Sequence, residues 1–164
     1  LGIVGRSRKI QIEIARDHGL LDNYYACGGC LLTDDHFANR MKDYLKFNSD
    51  MKIDDIYILK VGRHFRYKNT KIIVGRNESE NNLLLTLKKL NDLIIEAKDV
   101  TGPITIVQGD YDNNTLKYAA KLTLRYSDLD DLQGQVIFGT DYNNLAEEMT
   151  IEIENDKILK KYIL

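Results

Sequence analysis

Apolar positions along the chain change period several times, and each change marks an element. Over residues 8–18, Ile10, Ile14 and Ala15 recur at helical spacing as the expected buried stripe, with Ser7 placed to cap the start and Gly19 to end the helix. Residues 20–33 carry no period and read as a loop. Thr33 is placed as an N-cap, and Asp34 and Asp35 suit the positive end of a helix. Phe37, Met41, Tyr44 and Leu45 then share one helical face, until Asn48-Ser-Asp50 breaks it. From Ile56 to Tyr67 β-formers are dense, which predicts that this stretch contains a strand ending in a cationic run. Lys68-Asn-Thr70 predicts a turn, and Lys71 to Gly75 a second strand.

Asn77-Glu-Ser-Glu80 has the look of a capping box, with Leu83, Leu84, Leu87 and Leu90 as the apolar face of the helix behind it. Asp92–Ala97 and Ile104–Val107 read as strands, separated by the only proline, in Thr101-Gly-Pro103. Thr115–Tyr126 reads as a helix with Leu116, Ala119, Ala120, Leu122 and Thr123 inward. Gln135–Phe138, Met149–Glu154 and Ile158–Ile163 read as closing strands, the last two joined by a tight turn at Asn155-Asp156. A second unit therefore begins near residue 54 with the order ββαββαβββ. That is an α+β sandwich rather than a Rossmann or barrel pattern.

Composition narrows the class. The chain has 164 residues, 43% hydrophobic and 29% charged, with ten Tyr and no Trp, which excludes a disordered tail or a fibre. Nothing approaches the ~18 consecutive apolar residues of a membrane span, so no membrane partner is expected. No basic stretch followed by an apolar one suggests a secretory signal. The chain opens Leu1-Gly-Ile-Val-Gly5, like a strand entered in its middle, and a truncated N-terminus is the expectation. Cys27 and Cys30, three positions apart, are the only cysteines and cannot staple distant segments, so a reducing cytoplasm is the expected setting.

The net charge of −2 conceals an asymmetry: residues 1–76 carry a balance of +5 and residues 77–164 one of −7. Lys60, Arg63, Arg66, Lys68, Lys71 and Arg76 fall within 17 residues that hold no carboxylate, with His64, Phe65 and Tyr67 between them. Uncompensated cations on adjacent strands give a local positive field that attracts phosphates and releases counterions. Interleaved aromatics suit stacking on unpaired bases. The competing reading is a solvated strand edge that Lys and Arg protect from aggregation.

Cys27-Gly-Gly-Cys30 is the sharpest chemical feature. Two thiols at this spacing are compatible with metal binding, dithiol cycling or a persulfide, and equally with two incidental cysteines in a loop. Structural zinc needs four ligands and no second pair exists; His18 and His36 would complete a set only at a spacing unlike a zinc finger's. Gly75-Arg-Asn77 places helix-start amides and Arg76 where an anion could sit, without the Gly-Lys-Ser/Thr of a phosphate loop. The alternative is a strand–helix turn in which Asn77 merely caps. The three histidines are scattered and support no triad, so hydrolase chemistry is not indicated.

Two stretches resemble known families. The pattern Gly5-Arg-Ser-Arg-Lys-x-Gln-Ile-x-x-Ala-x-x-x-Gly-Leu20, followed by Gly28-Gly-Cys-Leu-Leu-Thr-Asp34, resembles the end of the PP-loop ATPase domain of tRNA-thiolating proteins. These are relatives of the tRNA 2-thiouridylases and 4-thiouridine synthetases, also described as tRNA (5-methylaminomethyl-2-thiouridylate) methyltransferases. From about Ile58 to Leu164 the chain resembles the NFACT-type RNA-binding domain. The resemblance is carried by Lys60-Val-Gly-Arg-His-Phe-Arg66, Ile73-Val-Gly-Arg-Asn-Glu-Ser-Glu-Asn81, Gly102-Pro-Ile104 and Ala119-Ala-Lys-Leu-Thr-Leu-Arg-Tyr-Ser127.

The resemblance divides the chain into residues 1–53, a small helical remnant of an α/β PP-loop domain carrying the Cys27–Cys30 loop, and residues 54–164, a mixed α/β-sheet RNA-binding domain. It implies a chain that holds tRNA for an ATP-dependent domain that adenylates a uridine carbonyl before a sulfur carrier displaces AMP. Lys60, Arg63, His64, Arg66, Lys68, Lys71, Arg76 and Asn77 become the RNA-contact candidates. Cys30, with Cys27, becomes the candidate thiol that carries or resolves sulfur, or that ligates zinc or an iron–sulfur cluster. The Ser-Gly-Gly-x-Asp-Ser loop that opens a PP-loop domain is absent from this sequence. ATP is therefore expected on a domain outside this chain, and no cofactor or turnover is expected from the chain alone. A sulfur-donor protein is a further expected partner, and oligomeric state is left open. Two other readings stand beside this one: a sulfur-carrier or metal half-site through Cys27 and Cys30, and a protein-interaction module in which the acidic half recruits the partner.

Overall fold

The structure is a computed structural model that describes residues 9–20, 30–153 and 159–164. Among these residues, helix α1 spans Lys9–Asp17, α2 Asp35–Phe47, α3 Ile53–Leu59, α4 Glu78–Leu87 and α5 Asn113–Arg125. Strands β1 (Arg63–Tyr67), β2 (Thr70–Val74), β3 (Leu93–Ala97), β4 (Thr105–Gln108), β5 (Gln133–Gly139) and β6 (Glu147–Glu152) form one antiparallel sheet in the order β1-β2-β4-β3-β5-β6. The α+β class expected from the sequence is the observed one.

Alternation along the strands sorts side chains to two cores. Phe65, Ile72, Val74, Leu93 and Ile95 face α5, whose Leu116, Ala119, Ala120 and Leu122 fill the main core. Ile73, Ile94 and Ile106 face the other way and meet Ile58 of α3 and Leu84 of α4. All five residues of β2 are buried, as befits a strand covered on both faces. Full burial of a side chain such as Ile72 or Leu122 is worth about 1.5–3 kcal/mol.

Five expectations are corrected. The stretch from Ile56 to Tyr67 does contain the expected strand, as β1, but its first residues belong to α3, a helix that the expected order lacked. Asp54 and Asp55 sit in its first turn, and Asp55 Oδ2 accepts the Lys52 amide at 2.9 Å, so local capping overrides β-propensity. The N-cap of α2 is Asp34, whose Oδ1 accepts the Phe37 amide at 2.7 Å, while Thr33 closes a 3₁₀ turn over Leu31–Thr33. Leu83 is exposed, and Leu90 lies beyond α4, 88% exposed; Leu84 is the side chain of that helix that is fully buried. In α1, Ile10 is likewise exposed and Ala15 is the buried residue.

The last predicted strand, Ile158–Ile163, is a 3₁₀ turn at Lys160–Tyr162 followed by a single bridge, Phe65 to Ile163. Its aromatics explain this. Tyr162 packs edge-on to both Tyr67 and Tyr118, and the Tyr118 hydroxyl donates to the Leu159 carbonyl, so the segment is held by side chains rather than by a ladder. The predicted Asn155-Asp156 turn lies outside the described residues.

Candidate nucleic-acid interface

Two tight constraints build the site. Gly62 has φ +79, and a Cβ there would stand 2.7 Å from the Val74 carbonyl oxygen, so only glycine lets the α3–β1 turn approach β2. Asn81 of α4 reaches across to residues 102–104: its Oδ1 accepts the Ile104 amide at 3.0 Å and its Nδ2 donates to the Gly102 carbonyl at 3.4 Å. The Gly75 amide donates to Ile104 O at 3.0 Å. A side chain at Gly102 would strike Ser127 Cβ at 2.9 Å. The four motifs read from the sequence thus meet at one end of the sheet.

There a cleft of about 790 Å³ opens between the start of α2, the start of β1 and the end of α5. Lys60, Arg63, His64 and Arg76 line it, joined by Arg40, His36, Asp34 and Tyr126. Three of its arginines are anchored by carbonyl oxygens. Arg40 Nη1 donates to Leu59 O (3.1 Å), Arg63 Nη1 to Gly75 O (3.3 Å) and Arg76 Nη2 to Gly62 O (2.9 Å). A carbonyl orients a guanidinium without neutralising it. Arg76 also has a carboxylate neighbour, Glu80, but that ion pair is long at 3.5 Å and partly exposed, and so weak. The Arg63 guanidinium lies over the Tyr126 ring, 4.3 Å from its centroid. Burial, and then the charge of Arg76, draw the Arg40 guanidinium below its ordinary pKa.

His64 is fully buried beneath the cleft. Its Nε2 is 2.7 Å from the Val61 carbonyl oxygen, which only accepts, so Nε2 carries the proton. Burial, reinforced by the charges of Lys71 and Arg40, holds this imidazole neutral, well below its ordinary pKa. His64 Nδ1 and Arg40 Nε have no hydrogen-bond partner among the described residues.

The rest of the cationic window goes elsewhere. Arg66 and Lys71 point to the sheet face that α2 covers, and both bind Asp43 of that helix. Arg66 donates Nε and Nη2 to the two carboxylate oxygens at 2.9 and 2.6 Å, and Lys71 Nζ donates at 2.8 Å. All three side chains are at most 13% exposed. Arg66 also lies over the Phe47 ring. Burial pulls Lys71 down to about 8, against the opposing pull of Asp43. Lys68, on the β1–β2 turn, pairs with Asp112 at 2.7 Å in solvent. Asn77 caps α4, its Oδ1 accepting the Glu80 amide at 2.9 Å. The single patch expected from the sequence is therefore two assemblies, and only Lys60, Arg63, His64 and Arg76 of the eight RNA-contact candidates line the cleft.

Residues 62–163 match the model of the NFACT protein RNA binding domain. The chain belongs to this family. An NFACT RNA-binding domain binds RNA, and Arg63, His64, Arg76, Tyr126 and Ile163 of the positive cleft lie within the matched span. Comparison with curated proteins finds no match. Among solved structures, the chain is similar to the C-terminal part of the fibronectin/fibrinogen-binding protein from Streptococcus suis, with a TM-score of 0.55 and 14% identity over 96% of this chain and 76% of that one. At that identity the likeness is one of fold.

Sequence reasoning missed three participants. Arg40 had a signal, because it lies three residues from Phe37 and four from Tyr44, on the buried stripe of α2, where an arginine needs a reason. Tyr126 stood in a recognised motif without an assigned role. Asp43 had no signal, because its partners are 23 and 28 residues away. Of the two thiols, Cys30 is exposed and free, and Cys27 lies outside the described residues. Among the described residues no three His, Cys, Asp or Glu side chains gather as metal ligands, and no helix is long and apolar enough to cross a membrane.

Proposed function

We propose that RNA lies in the cleft with its phosphates on Lys60, Arg63 and Arg76, that this RNA is tRNA, and that the chain holds it for an ATP-dependent uridine-thiolating domain. The observation that carries the cleft reading is the mode of anchoring: Arg63 and Arg76 are oriented by carbonyls, which leaves their charge available to an anionic chain, and the buried Arg40, held the same way, adds to the positive field behind them. The tRNA and thiolation parts are supported by the resemblance of residues 5–34 to tRNA-thiolating proteins. In this reading Cys30, exposed beside the cleft-lining Leu31, is the thiol that handles sulfur delivered by a donor protein in the cytoplasm.

Binding of an unmodified tRNA transcript, followed by fluorescence anisotropy from 50 to 200 mM KCl, tests the grip. Each phosphate contact contributes roughly 0.7–0.9 to the log–log salt slope. Arg63→Ala and Arg76→Ala should each lower the slope by about one unit. Unchanged affinity and slope in both variants would remove RNA from the cleft. For the thiolation step, 4-thiouridine and 2-thiouridine in cellular tRNA are measured with Cys30→Ser in the full protein. Normal thiolation would dismiss the sulfur-handling role.

A further inference from the structure

We infer that the cleft receives unpaired nucleotides, with one base stacked on the Arg63 guanidinium. This inference rests on the reading of the cleft as the RNA site and narrows it to a substrate class, single-stranded RNA.

Arg63 carries the argument. Its guanidinium carbon lies over the Tyr126 ring, 4.3 Å from the centroid, and Nη1 donates to the Gly75 carbonyl. Such a plane has already lost its rotational freedom, and the half-buried side chain borders the cleft. A weakly hydrated, pre-oriented guanidinium is a stacking platform for a nucleobase, and Tyr126 behind it makes a three-layer stack. The flanking cations have the complementary placement. Lys60 and Arg76 are both exposed, as phosphate contacts on either side of an inserted base should be.

The shape of the site agrees. A volume of about 790 Å³ falls in the range of a small-molecule pocket, roughly 300–1,000 Å³, and suits a splayed-out nucleotide or two. An RNA duplex keeps its bases stacked inside and shows proteins its shallow minor groove and backbone. It would meet only the rim cations and leave the Arg63 platform unused.

The test compares three labelled RNAs binding to the whole 164-residue chain at constant salt. They are a hexanucleotide, the same strand with abasic positions, and a twelve-base-pair duplex. The single strand should bind at least tenfold tighter than either of the others. Arg63→Lys, which keeps the charge and loses the plane, and Tyr126→Ala should each weaken it about tenfold with the salt slope preserved. Tyr126→Phe should bind as the unmodified protein does, which separates loss of the ring from loss of folding. Equal binding of the abasic strand or the duplex, or wild-type affinity in Arg63→Lys, would overturn the stacked base. That outcome leaves phosphate binding standing. The cleft reading itself fails separately, if Lys60→Ala and Arg76→Ala change neither affinity nor slope for any of the three RNAs.

Discussion

Asp43 and Arg66, 23 residues apart, face each other as a two-pronged ion pair, Nε to Oδ1 at 2.9 Å and Nη2 to Oδ2 at 2.6 Å. Lys71 binds the same carboxylate. Together these contacts clip helix α2 onto the sheet, and α2 brings Arg40 to the cleft. Two cations of the basic window thus organise the interface without touching its open side.

Replacing Asp43 with Asn leaves two buried cations against a neutral amide. Burial pushes the Asp43 carboxyl up, but Arg66 and Lys71 together outweigh it and hold it below its ordinary range, so the carboxylate stays ionised. Removing one partner of such a buried assembly costs about 3–5 kcal/mol. Urea denaturation of Asp43→Asn should show a loss of that order, and Arg66→Ala a similar one, whereas Arg63→Ala should lose about 1 kcal/mol or less. A loss below 1 kcal/mol in Asp43→Asn would mean that the clip does not hold α2.

His64 should set an acid limb of stability. The unfolded imidazole titrates near 6.5, and burial keeps the folded one neutral to a much lower pH. As the pH falls below about 6.5 the unfolded chain takes up a proton that the folded chain refuses, so stability drops. The slope approaches about 1.4 kcal/mol per pH unit and vanishes above pH 7. Urea midpoints at intervals from pH 7.5 to 5 should show this limb, and His64→Gln should flatten it. The depressed Asp43 carboxyl acts in a separate window, because its contribution is present above about 3.9 and is lost only as the pH falls through its lower folded value. An equal slope in His64→Gln would assign the limb to another group.

Gly62→Ala should destabilise the fold and disturb the cleft together. A non-glycine residue held at φ +79 costs roughly 1–3 kcal/mol, and the new methyl group would press on the Val74 carbonyl at 2.7 Å. The same turn carries the carbonyl that accepts Arg76 Nη2. Thermal melts and the salt slope of RNA binding should therefore both fall. A melt identical to that of the unmodified protein would show that the turn relaxes freely.

The α+β class, the β1–β2 hairpin, the buried face of α5 and the motifs at Lys60–Arg66 and Ile73–Asn81 were legible in the residues, because each is written in contiguous periodicity, turn chemistry or spacing. Leu116, Ala119, Ala120, Leu122 and Thr123 are buried as the helical period requires. The α3 segment and the final 3₁₀ turn were misread because apolar runs of strand-like composition were decided by a local cap in one case and by the Tyr67–Tyr118–Tyr162 cluster in the other.

The sequence by itself determined that six cations fall within 17 residues without a carboxylate, three of them, Arg63, Arg66 and Lys71, on the two strands of one hairpin. Only the tertiary structure decided their fates, because strand alternation sends Arg63 and Arg66 to opposite faces and helix α2 supplies a carboxylate on one of them. A side chain's net charge is a local property. Whether that charge stays free depends on the partner that folding brings within 3 Å, and here Asp43 comes from another element altogether.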